Sequence, residues 1–193
     1  MINTTFQKCN IRKQNIIDDQ LQIQVNKYLN EWENSYNCED KWWGDKKLDW
    51  EAALERAWNS RLHNNKMHPH QCRVAAKLPE GLRISMNDNI QPESFNSFHE
   101  LYLWVESVAS RVNGIGSTTT YDVARRLGVW VELEPEMVYL HAGTAKGAKK
   151  LGVTGKVAPL NAFPLEIQRL GATHAENFLC IYKDLIRTSA NVD

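Results

Sequence analysis

The spacing of apolar residues constrains this chain most: where it is clear it runs in steps of three and four, with no convincing set of alternating strands. Ile17, Leu21, Val25, Tyr28, Leu29 and Trp32 mark a helix from Ile16 to about Tyr36. Trp50, Leu54, Trp58 and Leu62 mark another from Leu48 to Leu62, with Asp49 placed to cap or charge its first turn. Ser97, followed three residues on by Glu100, forms a capping-box pattern ahead of the stripe Leu101, Trp104, Val105, Val108 and Val112. Further helices are expected at Thr118 to Leu127, Pro135 to His141, Ala145 to Leu151 and Ala175 to Thr188. The stretch Cys72 to Met86 stays ambiguous, because Pro79 and Gly81 interrupt it. The expected fold class is mostly α. A Trp-rich helical region over residues 1–90 and a second helical region over 91–193 are expected to pack as one globular unit.

Charge narrows the function classes. Across 193 residues, 23 Lys plus Arg balance 23 Asp plus Glu, so any nucleic-acid binding must come from a local patch or a shaped motif. Residues 111–126 carry Arg111, Arg125 and Arg126 against Asp122 alone, and residues 141–187 are also net basic. No run of eighteen apolar residues occurs, so no membrane span is expected. Met1 to Ile11 does not read as a signal peptide. Cys9, Cys38, Cys72 and Cys180 are scattered, which fits free thiols in a reducing cytoplasm.

The most specific segment is Val112-Asn113-Gly114-Ile115-Gly116-Ser117-Thr118-Thr119-Thr120-Tyr121-Asp122. One helix ends, a Gly-Ile-Gly turn follows, and the next helix starts at once. The glycines permit a tight turn and close approach of an anion, while the free amides of the new helix point toward it. With the apolar stripes on both sides, Leu101 to Leu127 resembles the helix-hairpin-helix motif of DNA repair and recombination proteins. Asn113 departs from the proline common there, and Thr120 from an alanine. The resemblance implies a sequence-independent grip on the phosphate backbone of duplex DNA, with a monovalent cation at the hairpin. Asn113, Gly114, Ile115, Gly116, Ser117, Thr118 and Thr119 would form the contact, with Arg125, Lys146 and Lys149 in support. The alternative for the segment is a helix–helix turn without ligand.

Many proteins of that superfamily are DNA glycosylases, and the resemblance implies a catalytic carboxylate about twenty residues past the second glycine. Glu136 stands there, with Asp122 as a second candidate acid or base. Thr118 occupies the position of the lyase-type lysine, so an enzyme of this kind would be a monofunctional glycosylase-like hydrolase acting on a base or modified nucleotide. Pro135 and Glu136 equally suit a plain helix start.

Of seven tryptophans, five fall between Trp32 and Trp58. Trp50 and Trp58 sit on a helical stripe and read as core. Trp42 and Trp43, beside Gly44 in a charged stretch, are candidates for stacking on a base. The same region suits a protein-interaction module without nucleic acid. His63, His68, His70 and Cys72 fall within ten residues, but their spacing matches no established zinc finger, and no metal is assigned. A polar loop of His68, His70, Gln71 and Arg73 that contacts a ligand or the C-terminal half is expected instead. No P-loop, Rossmann fingerprint, Gly-x-Ser-x-Gly or His-Glu-x-x-His motif occurs, and no cofactor is expected.

Overall fold

The computed structural model describes residues 4–187, with the side chains of residues 4–18 and of residue 33 left out. Its elements, in chain order, are α1 Thr4–Trp43, α2 Trp50–Asn59, α3 Leu78–Asp88, α4 Phe98–Ser110, α5 Ser117–Val131, β1 Met137–Tyr139, α6 Ala142–Lys150, β2 Val157–Pro159, α7 Leu165–Gln168 and α8 Gly171–Ile181. The chain is mostly helical. No helix among the described residues is long and apolar enough to cross a membrane. Cys9 lies outside the described side chains; Cys38, Cys72 and Cys180 are in no disulfide.

The residues divide into two compact units, one of Asn34–Pro135 and one of Met1–Glu33 with Glu136–Asp193. This differs from a division at 90/91, which would cut the first unit between α3 and α4. The second unit is discontinuous, with chain from both ends.

In the 34–135 unit, helices α2 to α5 surround an aromatic core. Trp58 is fully buried and donates its indole N–H to Ser85 Oγ at 2.9 Å. Trp50 donates to the Ile90 carbonyl at 2.8 Å. Pro79 and Gly81, which obscured α3 in the sequence, both have a place in it: Pro79 falls in its first turn, where no amide is needed. A Cβ on Gly81 would lie 2.3 Å from the Trp58 ring, so only glycine lets α3 seat there. The caps act as the sequence indicates: Asp49 accepts from the Ala52 amide and Ser97 from the Glu100 amide. Glu100 in turn accepts from the Asn96 amide, one residue earlier than a capping box requires.

In the other unit, residues 21–28 of α1 contribute buried Leu21, Val25 and Tyr28. Tyr28 meets Phe178 edge-on, with ring centroids 5.8 Å apart. α6 and α8 pack so closely that a Cβ on Gly147 would lie 2.3 Å from the Leu179 carbonyl oxygen. Residues 135–141, expected as helix, instead hold β1, which pairs antiparallel with β2 (Val138 opposite Ala158). Three-residue strands are too short for alternation to show against a helical period.

Candidate functional site

Helix α5 carries two features of the 34–135 unit: the turn that precedes it and a polar centre along its first three turns. The turn, residues 111–116, leads from α4 into α5, and the two helices pack against each other. Gly114 sits at φ 95°, a conformation that suits glycine, and Gly116 is the N-cap of α5. A Cβ on either glycine would meet nothing within 4 Å, so the backbone there borders open space. Asp49 and Ser97 each cover a helix start with a side chain; Gly116 has none to offer. The first helical hydrogen bond of α5 is donated by Thr120 to the Gly116 carbonyl at 3.1 Å. The amides of Ser117 and Thr119 precede it, in the first turn, where a helix supplies no carbonyl to receive them.

Several residues assigned to this surface stand elsewhere. Thr119 is buried, so its hydroxyl does not reach a ligand at the turn; Asn113 and Ser117 are exposed and Thr118 and Ile115 half-buried. Arg125 is tied to Asp40 at 2.8 Å, with Glu134 at 3.9 Å, and is not a free phosphate contact. Arg111 grips Asp88 with both guanidinium nitrogens, at 2.9 and 2.5 Å. The basic excess of residues 111–126 is thus compensated within the fold. The 34–135 unit as a whole holds 12 Lys plus Arg against 14 Asp plus Glu, so the hairpin belongs to the acidic unit and not to a basic half. Lys146 and Lys149 are exposed on α6, in the other unit.

Trp42 and Trp43 end α1 instead of standing in a loop. Trp43 is buried under the Arg126 guanidinium, 4.7 Å from its ring centre, and is not available to a base. Trp42 stacks on Arg56 at 3.8 Å and donates to the Arg61 carbonyl at 2.9 Å.

The polar centre is assembled by the loop after α2. That helix ends at Ser60 in the left-handed region (φ 54°), and the chain makes an excursion in which Arg61 bridges to Met67. It then returns so that the His68 amide donates to the Ser60 carbonyl at 2.8 Å. Pro69 opens a 3-10 turn, Pro69–Gln71, with His68 as its cap. The turn sets the His68 and His70 rings edge to face, their centroids 4.9 Å apart. From α5, Asp122 meets this turn: His70 Nδ1 lies 3.0 Å and Gln71 Nε2 2.6 Å from Asp122 Oδ2. Gln71 is fully buried, and its other end accepts from Arg126 at 2.9 Å. Arg126, one helical turn beyond Asp122, also donates to Ser60 Oγ and to the Ala57 carbonyl. Glu39, on the last turns of α1, lies 4.0 Å from His68 Nε2.

Burial pushes the Asp122 carboxyl up, but the hydrogen bond from His70 and the charge of Arg126 outweigh it and hold it at about 2. An ionised Asp122 accepts only, so His70 Nδ1 carries the proton between them. Burial, reinforced by the Arg126 charge, holds His68 down at about 4, which leaves it neutral at pH 7. Burial raises Glu39 above the usual carboxylate range and lowers Arg126 below the usual guanidinium range.

The sequence singled out His68, His70, Gln71 and Asp122, but as two separate groups. Glu39, Ser60 and Arg126 were not foreseen as members. The i, i+4 spacing of Asp122 and Arg126 was the available signal. Arg73, expected in the polar loop, is exposed and outside the cluster. Glu136 is exposed in the other unit, and so is not brought together with Asp122 within one unit.

No protein-family model, curated protein or solved structure matches the chain.

Proposed function

We propose that the 34–135 unit binds the sugar-phosphate backbone of DNA through the turn between α4 and α5, without reading base sequence. The observation that carries this reading is the uncapped start of α5. Glycine stands where α2 and α4 have a capping side chain, and open space surrounds both glycines. The first-turn amides of Ser117 and Thr119 and the exposed Ser117 hydroxyl stand at that helix start, a donor set suited to one phosphate. Because Arg111, Arg125 and Arg126 are already paired, few counterions are released on binding. The dependence on salt is therefore shallow, on the order of one or two phosphates' worth of slope.

The test is duplex-DNA affinity for Gly116→Val and Ser117→Glu. Gly116 has φ −105° and free space, so valine is accommodated and the fold survives, while its side chain covers the amides. Both variants should lose roughly tenfold or more in affinity, since each amide–phosphate bond is worth about 1.5 kcal/mol or more. Unchanged binding by both, with helicity intact, defeats the reading.

A second reading, N-glycosidic hydrolysis of a base or modified nucleotide, now rests on Asp122, whose carboxylate is ionised and lies about 9 Å along α5 from the hairpin cap. Release of bases from modified DNA, abolished by Asp122→Asn, supports it; no abasic sites from a broad panel argues against it.

A further inference from the structure

His68, His70 and Asp122 bring one ligand atom each within 4.8 Å of one another. We propose that they form a three-ligand site for a divalent first-row transition metal, zinc in the first instance, with its remaining positions open to water or substrate. This does not depend on the hairpin binding DNA.

The donor set is two imidazole nitrogens and one carboxylate oxygen, which suits zinc and its neighbours over calcium or magnesium. Donors about 2.1 Å from a tetrahedral ion stand about 3.4 Å apart. His70 Nδ1 and Asp122 Oδ2, at 3.0 Å, already span such an edge. The widest pair has to close by roughly 1.4 Å, within the reach of side-chain torsions on a short loop.

The surroundings match those of a metal site more than those of a salt bridge. Gln71 fixes the carboxylate from behind with a hydrogen bond of 2.6 Å. Glu39, on α1, lies 4.0 Å from His68 Nε2. The nearby cation does not obstruct the site, because the Arg126 nitrogens are engaged by Ala57, Ser60 and Gln71. The ionised Asp122 carboxylate balances that single positive charge. His70 is half exposed, its side chain 48 % accessible against 18 % for His68 and 15 % for Asp122, so the site is closed behind and open in front. Three protein ligands with one open side is the form of a site that admits water or substrate, in contrast to a sealed four-ligand structural site. An ion held there would take the place of the proton between His70 Nδ1 and Asp122.

The experiment is titration of the full chain with Co2+, followed by its visible absorption, and competition with Zn2+. The expected result is one ion per chain in a protein-bound cobalt spectrum, displaced by zinc. His70→Ala and Asp122→Asn should each weaken binding roughly 100-fold or more. His63→Ala, exposed and outside the centre, should leave binding unchanged. Circular dichroism confirms that each variant is folded, and the half-exposed His70 makes its alanine variant the safest reporter. Two outcomes overturn the proposal: no stoichiometric binding by the folded parent chain, or binding that persists undiminished in folded His70→Ala.

Discussion

The two units each enclose a cluster of histidine, carboxylate and partner, and the clusters differ in how they meet solvent. In the unit completed by the C-terminal residues, His141 Nε2 lies 2.9 Å from Glu176 Oε1, and the Thr144 hydroxyl donates to the same oxygen. All three are buried, at 5 %, 3 % and 0 % exposure, between α6 and α8. In the 34–135 unit, His68, Gln71, Asp122 and Arg126 form a comparable network, but His70 brings it to the surface. The sealed cluster lies in the seam between α6 and α8, and nothing from outside reaches it. The open cluster has the same chemistry with an approach, and this is what separates a candidate site from a structural knot.

The largest effect that tests this contrast belongs to the sealed cluster. Glu176→Ala leaves the His141 nitrogen and the Thr144 hydroxyl buried around a lost acceptor, and should cost about 4 kcal/mol in urea unfolding. A loss below about 1 kcal/mol would show that water enters there and that the cluster is not sealed.

Acid acts next, on the open cluster of the metal-free protein. The folded value of His68, about 4, lies below its ordinary 6.5. Between those values the unfolded chain takes up a proton that the folded chain refuses, so stability falls as pH drops from 6.5 to 4. The loss is on the order of 3 kcal/mol. Asp122, held at about 2 against 3.8, adds stability above 3.8 that is lost as pH falls to 2. Urea midpoints in the presence of a chelator measure the first window, and His68→Gln should flatten it. An identical slope in that variant would refute the assignment.

The smallest effect is expected for His70→Ala in the metal-free protein. Its ring is half exposed, so the loss should stay below about 1 kcal/mol. A loss as large as that of Glu176→Ala would make His70 a structural residue and erase the contrast between the clusters.

Much of the fold was legible because its signals are local. The stripe from Leu101 to Val112, the caps at Asp49 and Ser97 and the Gly-Ile-Gly turn all lie within one helical turn of what they control. Trp42 and Trp43 misled because Lys41, Asp45, Lys46 and Lys47 make their surroundings look like a loop, while the helix runs on to Trp43. The site was legible only in pieces. His68 and His70 announced themselves, but their carboxylate stands 52 positions beyond His70, and Glu39 arrives on another helix. Arg126 was hidden for a different reason: an arginine in a helix next to a second arginine reads as solvated surface, and only tertiary packing on Trp43, Ser60 and Gln71 reverses that. The same reversal disposed of the basic patch, whose charges are answered by Asp40 and Asp88 from distant segments.

The stitch at the mouth of the loop after α2 has a practical side. The His68 amide on the Ser60 carbonyl and the Arg61–Met67 bridge close the excursion at its base, so its exposed tip at Asn64 and Asn65 is mechanically uncoupled from the histidines beyond it. Such a tip is a port for insertion: a fluorophore, a peptide epitope or new chain ends placed there would report from beside the centre without displacing it.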